Sequence, residues 1–61
     1  MTSREQYILA MVRLAEAEPP EFHGTETLAE RVVQYAGTAR PKITLDEVRQ
    51  VMRTAGYVRG F

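Results

Sequence analysis

Two successive prolines, Pro19-Pro20, constrain this chain more than any other feature. Proline lacks the N–H that a helix interior requires and disfavours helix in the residue before it, so no helix runs through this point. Further breaks stand at Gly37, Pro41 and Gly56. They leave three stretches, each long enough for one helix. Each stretch opens with a Thr followed three residues later by Glu, the spacing of a capping box. The pairs are Thr2 with Glu5, Thr27 with Glu30 and Thr44 with Glu47. Ser3 with Gln6 offers a second register of the first pair, and Thr25 is an alternative cap for the second helix. The spacing predicts helices over about 3–18, about 26–36, and from Thr44 to a stop at Gly56.

The apolar residues divide these helices into faces. In the first helix Tyr7, Ile8, Met11, Leu14 and Ala15 share one side, and Leu9 and Val12 widen the stripe. A stripe wider than one core-facing side fits a helix that is central in the fold or meets a second chain. Tyr7, Leu9, Met11 and Val12 are the candidate interface of a two-fold homodimer. In the second helix Leu28, Val32, Tyr35 and Ala36 form the apolar side, widened by Ala29 and Val33, while Glu30, Arg31 and Gln34 are expected to face water. Gly37 reads as its stop, a position where glycine takes the left-handed conformation. In the third helix Leu45, Val48, Val51, Met52 and Ala55 oppose Asp46, Arg49, Gln50 and Arg53. Ile43 and Val48 occupy the two positions of a hydrophobic staple. Phe22 is the expected anchor of the loop after the first helix, with His23 facing solvent. The tail Tyr57-Val58-Arg59-Gly60-Phe61 alternates and is β-prone, but it is too short to form a sheet alone. The expected fold is therefore mainly α, a compact three-helix domain with helix-turn-helix character and a short extended C-terminal tail. It occupies residues 1–61 as a single domain.

Composition excludes several functions. The chain has no cysteine and one histidine, so neither a disulfide nor a metal site is expected. Its four glycines are scattered and form no phosphate loop. Ser3 and His23 belong to no nucleophilic motif, and Glu5, Glu30 and Glu47 have capping roles, so neither an enzyme nor a cofactor is expected. No apolar run approaches the ~20 residues needed to cross a bilayer. The opening residues do not have a signal-peptide layout, and the expected location is cytoplasmic.

Net charge is zero, yet it is unevenly divided. Residues 1–39 carry three arginines against six glutamates, a balance of −3, and residues 40–61 carry five cations against two acids, a balance of +3. The positive half contains the third helix. Arginine can grip guanine, and glutamine can grip adenine, through two hydrogen bonds. Arg49 and Arg53 lie one turn apart on one face. The expected contacts to double-stranded DNA are thus Arg49, Gln50 and Arg53 in the groove, with Arg40, Lys42 and Arg59 on phosphates. The same helix also admits a plainer reading. Asp46 and Glu47 in the first turn and Arg53 in the last complement the helix dipole, as on any solvated face.

The run Val48-Arg49-Gln50-Val51-Met52-Arg53-Thr54-Ala55-Gly56-Tyr57-Val58-Arg59 resembles the recognition helix and first wing strand of winged helix-turn-helix regulators. Thr27-Leu28-Ala29-Glu30-Arg31-Val32 resembles the preceding helix of that family. The resemblance implies a small non-enzymatic transcriptional regulator, with Arg49, Gln50 and Arg53 on the groove-facing side. The chain departs from the pattern in two places. The connection from Gly37 to Thr44 exceeds the usual turn of 3–4 residues, and Phe61 is reached before a second wing strand. The competing expectation is a small protein-binding inhibitor or adaptor, of the kind phages and plasmids often encode, acting on a larger protein. Steep salt dependence separates DNA binding from this alternative.

Overall fold

In a computed structural model that describes residues 2–18 and 24–61, three helices pack so that each touches both others. They are α1 (Ser3–Glu16), α2 (Leu28–Tyr35) and α3 (Leu45–Thr54). There is no strand among the described residues. Phe22 and His23 lie outside them.

All three expected N-caps are present. Thr2, Thr27 and Thr44 accept hydrogen bonds from the backbone N–H of Glu5, Glu30 and Glu47, respectively. The reciprocal half of the box forms at α1 and α2, where Glu5 and Glu30 accept from the N–H of Thr2 and Thr27 at 3.0 and 2.8 Å. At α3 the Glu47 carboxylate is used elsewhere. It accepts from Arg4 Nη2 at 2.9 Å, with Nε on its other oxygen, and so ties the start of α1 to the first turn of α3.

The core consists of Ile8, Val12 and Ala15 from α1, Ala29, Val32 and Ala36 from α2 and its C-cap, and Ile43, Val48, Val51 and Met52 from α3 and its approach. Both staple residues, Ile43 and Val48, are fully buried. Each larger side chain here contributes ~1.5–3 kcal/mol by leaving water. In a chain this small that contribution leaves a thin margin over conformational entropy.

Several expectations about faces need correction. The inward direction of α1 runs through Ile8, Val12 and Ala15, spaced i, i+4, i+7. This turns Tyr7 and Leu14 outward, leaving them 42% and 57% exposed. On α2, Tyr35 is 37% exposed and Arg31 is buried, the reverse of their expected placement. Ala55 is exposed at the end of α3. Gly37 keeps an ordinary φ and the chain continues through a turn there, with Ala36 as the C-cap of α2. Gly56 does take a left-handed φ of 94° and ends α3. The connector to α3 includes a cis Arg40–Pro41 bond.

Candidate nucleic-acid interface

Helix α3 has the two faces that its sequence requires. Val48, Val51 and Met52 face the core, and Gln50 and Arg53 are exposed on the other side. Arg40 and Lys42 are exposed in the connector, and Arg59 is exposed in the tail. The Arg40 guanidinium donates to the neighbouring Ala39 carbonyl at 3.1 Å, a local contact that leaves it at the surface.

Arg49 is placed differently from its neighbours. It is half-buried, and its guanidinium donates through Nε and Nη2 to the main-chain oxygen of Phe61 at 3.3 and 3.1 Å. Asp46 stands 3.8 Å from its Nη1. Glu30 is also near enough for the Arg49 charge to help lower its pKa, behind the larger effect of the hydrogen bonds from Thr27. A guanidinium with an acid on either side and a backbone oxygen in its fork is already satisfied, and its field at any approaching phosphate is reduced. Arg53, one turn on, lies with its guanidinium 5.0 Å from the centroid of the Phe61 ring, in cation–π geometry.

These contacts exist because the tail folds back. Tyr57 N–H donates to Met52 O at 2.9 Å as the chain leaves α3, and Ala29 N–H, in the first turn of α2, donates to Gly60 O at 2.8 Å. Gly60 has φ 97°, and a Cβ there would come within 3.0 Å of Leu28 Cβ and 3.3 Å of Met52 Cε. Tyr57 and Phe61 pack against the core. The Tyr57 hydroxyl donates to Glu16 at the end of α1, and this hydrogen bond raises the phenol above its ordinary pKa. The alternation of the tail suggested a strand. Instead its backbone hydrogen bonds go to α2 and α3, and the φ of Gly60 breaks the extended run. Nothing local in the sequence marks Phe61 as the partner of Arg49 and Arg53, since twelve and eight residues separate them.

The four residues expected at a dimer interface are also divided. Val12 is fully buried in the chain's own core and is not available to a second chain. Leu9 is partly buried and lines a shallow cleft of about 330 Å³ with Arg13, Ala55, Gly56 and Tyr57. Met11 is partly buried, and Tyr7 is exposed. The outward apolar stripe of α1 is therefore Tyr7, Ala10, Met11 and Leu14, spaced i, i+3, i+4, i+7.

A further pair could not be read from the sequence. Arg31 is 6% exposed and its Nη1 lies 3.1 Å from Glu18 Oε2, with Nη2 buried and unpartnered among the described residues. Among the described residues no group of acids and histidine is arranged to hold a metal ion, and no helix is long and apolar enough to cross a membrane. No family model, curated protein or solved structure matches the chain.

Proposed function

We propose that the chain is a small DNA-binding regulator that uses α3 as its recognition helix, with Gln50 and Arg53 as its forward contacts and Arg40, Lys42 and Arg59 on the flanking phosphates. The supporting observation is the two-sidedness of α3: Val48, Val51 and Met52 are buried on one side, while Gln50 and Arg53 are exposed on the other. Arg49 is removed from the first rank of contacts, since the Phe61 oxygen and Asp46 already engage it. Titration of a labelled mixed-sequence duplex, followed by anisotropy at several salt concentrations, tests this reading. Arg59→Ala is expected to weaken binding and to reduce the slope of log affinity against log salt by ~0.9, the effect of one lost phosphate contact. An affinity that does not respond to Arg59→Ala and Lys42→Ala together rejects the assignment.

A second reading, a protein-binding inhibitor or adaptor, draws on a different observation. Tyr7, Ala10 and Leu14, with the half-buried Met11 between them, form an outward apolar strip on the longest of the described helices. Such strips mark interaction surfaces when they are contiguous. Leu14→Glu should then abolish association, whether with a second copy or with a larger protein, and leave duplex binding per monomer intact. Sedimentation velocity of both proteins over a concentration series gives the answer for self-association.

A further inference from the structure

Residues 57–61 fold back over α2 and α3. They meet the body at separated points: Gly60 O on Ala29 N–H, the bare Cα of Gly60 against Leu28, the Phe61 oxygen in the fork of Arg49, and the Phe61 ring under Arg53. Between these points Val58 is 87% exposed and Arg59 faces solvent, so the segment is a strap seated at its two ends, where Tyr57 and Phe61 pack against the core. Two of its anchors are the cations of the outward face of α3. A strap fixed only for stability has no need of them, because Leu28 and Met52 already supply an apolar seat for Gly60.

We infer that residues 57–61 form a latch that withholds Arg49 from anionic ligands and partly screens Arg53, and that its release converts α3 from a weaker to a stronger anion-binding face. The consequence for DNA rests on the proposed regulator function, whereas the latch itself does not. The ties beyond Tyr57 are few and can open with the three helices intact. One is a single backbone hydrogen bond at a helix start, where the N–H has no partner inside the helix. Another is a cation–π contact at the surface. A phosphate offers the Arg49 fork several charged oxygens, so a polyanion competes with the Phe61 oxygen for the same guanidinium.

Arginine modification by phenylglyoxal, mapped residue by residue by mass spectrometry, reads the latch directly. In the wild-type protein Arg49 and Arg53 should react more slowly than Arg13 and Arg59. Phe61→Ala removes the ring from Arg53 and the packing that seats the tail, so it should accelerate both several-fold, and Val58→Ala, at an exposed position, should change neither. Equal rates in the wild type and Phe61→Ala, with helical content intact, overturn the latch. Hydrogen exchange of the wild-type protein provides a check that needs no variant. The Ala29 amide, held only by Gly60 O, should exchange well ahead of the α3 amides of Val51 and Met52. Exchange of all three together, in global unfolding alone, also overturns it. Duplex titration of the same proteins then separates the two claims. A tighter Phe61→Ala complex, with a salt slope steeper by ~0.9 for the phosphate contact that Arg49 gains, supports both. Accelerated modification with no duplex binding by either protein leaves the latch standing and removes the DNA reading.

Discussion

Gly56 and Gly60 have nearly the same backbone conformation, φ 94° and 97°, but in different surroundings. A Cβ at Gly56 meets nothing within 4 Å, whereas one at Gly60 meets Leu28 Cβ at 3.0 Å and Met52 Cε at 3.3 Å. Gly56→Ala should therefore cost only backbone strain, about 1–2 kcal/mol. Gly60→Ala adds crowding against a β-carbon that cannot rotate away, so it should be the more damaging of the two. Urea unfolding of both variants measures the difference, and equal midpoints would mean that the tail does not sit against Leu28. The role of Gly56 was legible in the sequence, since a glycine after the last apolar position of a helix is a local stop signal. That of Gly60 was not, because it depends on a contact between residues thirty-two positions apart. Arg49 shows the same limit. Its spacing put it correctly on the outer side of α3, but the tail oxygen that occupies it comes from outside the helix.

At the scale of the element, helix starts were readable because a cap is a local device. Ser, Thr, Asp or Asn at the N-cap satisfies an N–H two or three residues on, and no tertiary partner is needed. Replacing Thr27 by Ala should cost about 1 kcal/mol, a typical value for loss of such a cap. The acids of the two complete boxes add a pH dependence. Hydrogen bonds from Thr2 and Thr27 hold the Glu5 and Glu30 carboxyls below their ordinary value of 4.5. A carboxyl lowered in the folded state contributes stability that is present above its unfolded pKa and lost as pH falls through its folded one. Glu30→Gln should therefore be less stable than the wild type near neutral pH. The gap should close below about pH 4.5, as the wild-type carboxyl takes up its proton. Urea midpoints across that range provide the measurement, and a gap that does not change with pH would show that Glu30 contributes no charge-dependent capping. The faces were less readable than the starts. With apolar residues at Tyr7, Ile8, Leu9, Met11, Val12, Leu14 and Ala15, periodicity leaves the rotation of α1 open by roughly half a turn. Packing against α2 and α3 selected Ile8, Val12 and Ala15 as the inward set.

At the scale of the whole molecule, two ion pairs among the described residues link helices or their ends: Arg4–Glu47 between α1 and α3, and Arg31–Glu18 between α2 and the segment just after α1. Neither follows from helical spacing, and the amphipathic pattern of α2 put Arg31 in water. The pairs differ in what they risk. Both partners of the first are about one-third exposed, so water compensates either one if the other is lost. In the second pair Arg31 is only 7% exposed along its side chain, while Glu18 is 31% exposed. Removing the charge on the better-solvated side then leaves a guanidinium in the interior with its main counter-charge gone. Breaking a buried pair in this way costs ~3–5 kcal/mol, and the partial exposure of Glu18 argues for the lower end. Replacing the arginine itself by an apolar side chain of similar length removes the buried charge along with its desolvation, a change that is often neutral or stabilising. Glu18→Gln should therefore destabilise the fold more than Arg31→Met, although both delete the same ion pair. Thermal unfolding of the two variants at one pH gives the order directly. The reverse order would mean that the Arg31 stem and its hydrogen bonds stabilise α2 more than its charge costs.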